Sequence, residues 1–327
     1  MNESSMRVVL LAGGVGGARM ALGLAASLPP GALTVVANIG DDERFYGLQV
    51  CPDLDTLLYT LSGRVNRKNG WGVEGDTTKA LQTLSSLGAP DWMTLGDADF
   101  GLHIYRSWRL AQGERLTTIM ADVAQNLGVD THLLPACDTP VPTEIETAAG
   151  WQSFQQWFVA QRTQPKVLGI CYRGATFADV TPEVLAALQQ ADVIVIAPSN
   201  PLLSIEPMLA LPSMRSALLA STAVRVAVSP LIGGHAVKGP LAGMLTDLNL
   251  TPGNLGIAER YAGLIDGLVI DASDSDDAVI LRKQGLMVLA TNTLIAEKAA
   301  AQELASALFG WLPLVRNSLQ RAERRTQ

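Results

Sequence analysis

Four carboxylates crowd one stretch of the chain, NIGDDERFYGLQVCPDLDTLLYTLSG from Asn38 to Gly63: Asp41, Asp42, Asp53 and Asp55. Unless solvent separates them, like charges this close need a cation or a proton to coexist. Hard oxygen donors suit Mg2+, which typically joins one or two carboxylates to the phosphates of a substrate. The same residues also have structural uses, because Asp41 can cap a turn and Asp53 or Asp55 can cap the helix DTLLYTL. Upstream, RVVLLAGGVGGARMALGLA (Arg7 to Ala25) reads as a buried strand, a glycine turn and a helix start. Gly13, Gly14, Gly16 and Gly17 stand where backbone N–H groups and the helix dipole can hold phosphate oxygens. The spacing is neither a Walker loop nor a strict GxGxxG, and a tight turn without a ligand is the competing reading.

Three further segments carry polar groups. In TLGDADFGLHIYR, Asp97 and Asp99 precede His103 and Arg106, a set able to hold polar ligand groups or to serve as a solvated helix start. Just before it, Asp76 in GDTTKAL reads as a helix N-cap. The strand ends in VIVIAPSNPLLS and VAVSPLIGGHAVKGP offer Ser199, Asn200 and Ser204, and then Ser229, Gly233, Gly234 and Lys238 as a second phosphate cradle, with Lys238 a point charge. The chain has no GxSxG elbow, no HExxH and no Cys/His nucleophile pair. Anion cradles beside a carboxylate cluster suit phosphoryl-type transfer run by positioning and Mg2+.

The elements that must position these groups follow from hydrophobic patterning. VVLLA (Val8–Ala12), LTVVAN, VLGICY, VIVIAPS, VRVAVSP and GLVIDA show little alternation, as expected of strands buried on both faces of a parallel sheet. Helical stretches fall between them, at Ala18–Ser27, Thr77–Leu87, Pro182–Gln190 and Glu206–Leu211, and an alanine-rich amphipathic helix is expected from Thr293 to about Leu312. The fold class is therefore α/β, a Rossmann-like doubly wound, mainly parallel sheet. One domain is expected over 1–327, with a helical insertion or lid at approximately 57–160 that includes helices at Leu116–Leu127 and Trp151–Arg162.

Composition narrows the class. The chain has 327 residues, 48% of them hydrophobic and 17% charged, as in a globular protein with a sizeable core. A net charge of −7 argues against a nucleic-acid binder that relies on a basic surface. Cys51, Cys137 and Cys171 are far apart, with no zinc or disulfide spacing. The first apolar run is too short for a membrane span, so a cytoplasmic protein with neither membrane nor nucleic acid as partner is expected.

In series, AGGVGGAR, NIGDDERFYGLQVCPDLDTLLYTLSG, GWGVEGDT, LGDADFGLHIYR, LLPACDTPVPTEIET, APSNPLLSIEPMLALP and SPLIGGHAVKGP resemble the 2-phospho-lactate transferase family (CofD-like) of coenzyme F-420 biosynthesis, from Arg7 to about Leu308. The resemblance implies an Mg2+-dependent enzyme, typically a homodimer. Such an enzyme transfers 2-phospho-L-lactate, phosphoenolpyruvate or 3-phosphoglycerate from a GDP-activated donor to a hydroxyl of the deazaflavin Fo, releasing GMP. It also implies roles. Gly13, Gly14, Gly16, Gly17, Ser199, Asn200, Ser229, Gly233, Gly234 and Lys238 would line the nucleotide and its diphosphate. Asp53 and Asp55 would be the catalytic pair, Asp42 and Asp53 would hold the metal, and Asp55, Asp97, Asp99 and His103 would meet Fo. Many members carry a basic residue between the two aspartates of the LGDxD loop, where this chain has Ala98, so that contact is not carried over. The rival reading is a non-catalytic nucleotide-sugar-binding regulator of the gluconeogenesis factor type, whose ADDGGSSG-like turn and PPGD contrast with GDDERFYG and PDLD here. An NAD-dependent oxidoreductase would want an acidic residue where Asn38 ends the second strand.

Overall fold

The computed structural model describes residues 6–326; residues 1–5 and Gln327, included in the expected domain, lie outside them. The chain opens with β1 (Val8–Ala12), α1 (Gly14–Ser27) and β2 (Leu33–Ala37). A hairpin of β3 (Glu43–Phe45) and β4 (Leu48–Val50) leads into α2 (Pro52–Leu61), then α3 (Lys79–Ser86), α4 (Asp97–Ala111) and α5 (Leu116–Asn126). Next come β5 (His132–Pro135), β6 (Thr143–Thr147), β7 (Gly150–Ser153), a π-helical turn at Gln156–Ala160, and β8 (Gly169–Tyr172). The chain continues through α6 (Pro182–Gln190), β9 (Val193–Ile196), a second π-helical turn at Pro201–Ile205, α7 (Glu206–Leu209), α8 (Pro212–Ala220) and β10 (Val224–Val228). It closes with β11 (Leu231–Ile232), β12 (His235–Ala236), α9 (Leu241–Asp247), α10 (Gly253–Arg260), β13 (Gly267–Asp271), α11 (Ser275–Lys283), β14 (Met287–Thr291) and α12 (Lys298–Thr326).

Seven strands form one parallel sheet in the order β14-β13-β10-β9-β1-β2-β5. The strand order reverses between β1 and β9, the doubly wound arrangement whose ligand crevice lies beyond the carboxyl ends of the strands at that reversal. The two-face burial expected of β1 is literal. Val8, Leu10 and Ala12 join a core with α1, α2, α5 and α12, and Val9 and Leu11 join a core with α6, α8, α9, α10 and α11. Among the described residues no helix is long and apolar enough to cross a membrane.

Four readings of the sequence need correction. VLGICY does not enter the parallel sheet: Gly169–Tyr172 pairs antiparallel with β6 in a separate sheet, β7-β6-β8, and stays half-buried. The stretch 57–160 is helical only in part, because β5 forms the edge of the central sheet and β6 and β7 follow it. Trp151–Arg162 is not an α-helix but the end of β7 and a π-helical turn. The last helix starts at Lys298, which leaves Thr293 in a loop where its N–H and hydroxyl donate to Asp271.

Close packing of α1 on α12 depends on Gly23, where a Cβ would lie 2.4 Å from the Ala301 carbonyl oxygen. Gly23→Val is expected to lower the free energy of unfolding by about 1–3 kcal/mol in urea titrations followed by circular dichroism. Gly101→Ala, on α4 with nothing within 4 Å of the added carbon, is expected to raise it by about 0.5–1 kcal/mol.

Candidate active site at the strand-order reversal

A cavity of about 680 Å³ opens beyond the ends of β1 and β9, and Gly13, Gly14, Gly16, Pro198, Ser199 and Asn200 line it. The glycine turn is a close approach of three loops. A Cβ on Gly13 would meet Asp53 Oδ2 at 2.3 Å and Ser204 Cβ at 2.7 Å, and one on Gly16 would meet the Pro198 carbonyl oxygen at 2.5 Å. Gly14 takes φ +63°, a conformation that favours glycine. Ser199 Oγ donates to the Gly13 carbonyl at 2.7 Å, locking the end of β9 to the turn. The N-cap residue Gly13 offers no side chain of its own, and the first N–H of α1, on Gly14, is taken by Asp53, so only the helix dipole and the later N–H groups of the first turn are left for the cavity wall. Gly17 lies behind that wall, where its added Cβ would sit 2.8 Å from Ser199 Oγ.

Opposite the turn, Asn38 organises two carboxylates. Its Nδ2 donates to Asp41 Oδ1 at 2.8 Å, to Asp53 Oδ2 at 2.9 Å and to the Leu203 carbonyl at 3.1 Å. Asp53 Oδ1 accepts the Gly14 N–H at 2.7 Å. Burial, then the charge of Asp53, pushes the Asp41 carboxyl well above the usual carboxylate range. Burial also raises Asp53, against the hydrogen bonds from Asn38 and Gly14 that pull it down. Two adjacent carboxylates in this condition form a donor set for a hard divalent cation, whose remaining ligands would be substrate phosphates and water. Among the described residues no group of three or more His, Cys, Asp or Glu is arranged to hold a metal. Asp42, expected as a metal ligand, does not line the cavity. Its carboxyl lies beside Cys51 and Arg106 with Oδ1 buried and unpartnered, and burial raises its pKa despite the pull of those two neighbours.

Asp55 stands on the next turn of the wall, in the first turn of α2. Arg106, on α4 and fully buried, donates to it through both terminal nitrogens, Nη1 to Oδ2 at 3.2 Å and Nη2 to Oδ1, and gives a further hydrogen bond to the Gln49 carbonyl. His103 Nδ1 lies 3.6 Å from Asp55 Oδ2, underneath the pair and outside the cavity, where it meets no ligand directly. Burial, with Arg106 adding to it and Asp55 opposing, lowers the imidazole from 6.5 to about 4.

The LGDxD loop divides its two aspartates. Asp99 lines the cavity near Tyr59, whereas Asp97 leaves it and accepts the Ala80 N–H at 2.9 Å and the Lys79 N–H at 3.2 Å at the start of α3. Asp76 does the reverse: it caps α4 rather than the helix that follows it, accepting from Ala98 N at 2.9 Å and Asp99 N at 3.3 Å. Gly233 and Gly234, at φ +60° and +75°, form the two-residue turn of the β11–β12 hairpin and lie outside the cavity; Lys238 and Ser229 line it. Asn200 also lines it, though its Oδ1 accepts the Leu202 and Leu203 N–H groups as a cap.

Sequence reasoning missed several lining residues. Arg19 follows the glycines on α1 and donates to the Ile295 carbonyl at 2.7 Å. The aromatic wall of Tyr59, Trp71, Phe154 and Phe158 comes from separate segments, with no local spacing to announce it.

Fold and site together define a doubly wound α/β protein with a glycine-rich strand-to-helix turn facing a carboxylate cluster across one cavity. The chain belongs to the family described as 2-phospho-L-lactate transferase CofD, whose model matches residues 8–304, and it is a transferase. It is 36% identical over 303 residues to the 2-phospho-L-lactate transferase of Methanosarcina acetivorans, covering 93% of this chain and 98% of that one. It is 39% identical over 288 residues to the phosphoenolpyruvate transferase of Thermobifida fusca, covering 84% and 89%. A solved UPF0052-family protein from Bacillus halodurans shares the fold, with a TM-score of 0.59 at 17% identity over 93% of this chain and 99% of that one.

Arg106→Met strands the buried Asp55 charge and is expected to cost about 3–5 kcal/mol of stability, part of which Asp55→Asn added to the same chain restores in a double-mutant cycle. His103 gives a pH signature. Between pH 6.5 and 4 the unfolded imidazole binds a proton that the folded one does not, so its contribution is present above 6.5 and lost on acidification. The stability of the native chain relative to His103→Gln should therefore shrink by about 2 kcal/mol between pH 7.5 and 5, read from chemical denaturation at each pH.

Proposed function

We propose that this transferase acts in coenzyme F-420 biosynthesis, moving a three-carbon phospho-acid from a GDP-activated donor to the terminal hydroxyl of the Fo ribityl chain. The observation that carries this reading is the meeting, in one cavity, of a helix start behind a glycine turn with the Asp41–Asp53 pair and Asp55, in a chain of the CofD family. The hydroxyl oxygen attacks the phosphorus that bears the acid, the bond from that phosphorus to the bridging oxygen of GMP breaks, and a phosphodiester to Fo forms. A loose, phosphoryl-type transition state needs little prior deprotonation, so the hydroxyl proton passes on to water as the bond forms.

The chain's own groups hold and orient. The first-turn N–H groups of α1 beyond Gly14, with Ser229, Arg19 and Lys238 around them, receive the diphosphate, while Ser199, whose hydroxyl donates to the Gly13 carbonyl, holds the turn in place. Asp55 orients the Fo hydroxyl as a hydrogen-bond acceptor rather than taking its proton, a role supported by the two hydrogen bonds that Arg106 already gives its oxygens. Asp53 and Asp41 would hold Mg2+ with the donor's phosphates, and the ion would supply charge neutralisation as GMP leaves. The acid is 2-phospho-L-lactate, phosphoenolpyruvate or 3-phosphoglycerate; curated relatives carry the first two names.

Incubating the protein with Fo, Mg2+ and each GDP-activated acid in turn, followed by mass spectrometry, is expected to give one Fo phosphodiester with one GMP per turnover. No product from any of the three donors would sink the reading. Asn38→Ala, which removes the group linking the two carboxylates, is expected to raise the Mg2+ concentration for half-maximal rate about 10–100-fold.

A further inference from the structure

The cavity carries an aromatic feature that the transfer chemistry does not use. Phe154 and Phe158 stack with ring centroids 5.1 Å apart and planes 21° apart. Phe154 is the buried partner, seated in the core with Trp157, whereas Phe158 remains 38% exposed, and both line the cavity. A buried ring thus braces an accessible one. An exposed aromatic on a cavity wall, backed rigidly on one side, is a platform for a flat ligand ring. Its backbone is a π-helical turn, Gln156–Ala160, a rare geometry frequent at functional sites. Within the same segment, Gln155 Nε2 donates to the Asp41 backbone carbonyl at 3.0 Å, which ties the platform to the carboxylate loop.

Sheet order separates the two ends of the cavity. The carboxylate loop follows β2, and the platform follows β7, later in the chain than the neighbouring edge strand β5. Ser229, Lys238 and Thr293 follow β10, β12 and β14 on the other side of the β1–β9 boundary. A phosphate chain held at the glycine turn would meet an acceptor coming from the carboxylate side, so the ring next to the platform belongs to the acceptor.

We propose that Phe158, braced by Phe154, is the stacking surface for the planar tricyclic ring of the acceptor, and that the guanine of the donor binds on the opposite side of the cavity. This deepens the transferase reading and rests on it. Val159, next in the chain to Phe158, and Leu203 add apolar surface to the cavity lining, which suits an uncharged fused ring system.

The test measures Fo binding without any donor, by titrating the full chain into Fo and following the fluorescence of the deazaflavin, alongside steady-state kinetics in both substrates. Phe158→Leu keeps apolar volume and removes the ring. It is expected to weaken Fo binding about tenfold and to raise KM for Fo similarly, with KM for the donor and kcat at saturation nearly unchanged. Phe158→Trp, which keeps a stacking face, is expected to stay close to the native affinity. Unchanged Fo affinity in Phe158→Leu overturns the assignment. So does a rise in donor KM with Fo binding intact, which would put guanine on this platform. If the native chain binds Fo and transfers nothing to it, the transferase reading fails, while a loss of the fluorescence change in Phe158→Leu still upholds the ring site.

Discussion

At Gly13 there is no room for a single methyl group. A Cβ there would fall 2.3 Å from Asp53, 2.7 Å from Ser204 and 3.0 Å from Asn38, so the loops that end β1, β2 and β9 and the start of α2 converge on one point. That crowding fixes the distance between the backbone of the glycine turn and the carboxylates opposite it. The Gly14 N–H reaches Asp53, Asn38 reaches Asp53 and Asp41, and Ser199 closes back on Gly13. Any side chain at this position would push the glycine turn away from the acidic wall and separate the two halves of the site.

Charge is arranged with equal economy. Asp42 and Asp55 lie near a single enclosed guanidinium, Arg106, whose hydrogen bonds to oxygen go to Asp55 and to the Gln49 carbonyl. A carboxylate held on both oxygens is fixed in place and in direction, which is what positioning a neutral hydroxyl requires. Asp41 and Asp53 have no such cation among the described residues. Their mutual repulsion is left unresolved by the protein itself, the condition under which a metal ion and a proton compete for the same place. Burying an ion pair costs desolvation, so the pair at Arg106 has more to do with geometry than with net stability.

Much of this was legible in the sequence, for reasons that also explain the failures. β1, β2, β9, β10 and β13 are covered on both faces, so unbroken β-branched runs identified them. VLGICY has the same composition but lies half-buried in an antiparallel sheet, and the edge strands HLLP and MVLAT are only partly buried, so their runs do not stand out. The glycine turn and the aspartates after Pro52 were visible because strand end, turn and helix start are local features. Asp41 and Asp42 could not be told apart, since adjacent residues of a turn point to different sides and only the fold says which side is the cavity. The pairing of Asp55 with Arg106 spans a separation of 51 residues and leaves no local trace. Asp97 was misread because a carboxylate ahead of a helix serves a ligand or a cap equally well.

The exchange of caps between Asp76 and Asp97 has a consequence for motion. Each aspartate closes the first turn of the helix that the other precedes, so neither α3 nor α4 can fray at its start without releasing the other. Gly96 sits so close to Asp76 that a Cβ would collide with it, leaving little slack between the two loops. The first turns of the two helices are therefore coupled, because opening either one costs the other its cap. Asp99, in the first turn of α4, and Tyr59 beside it line the cavity, so that coupling reaches this wall of the site.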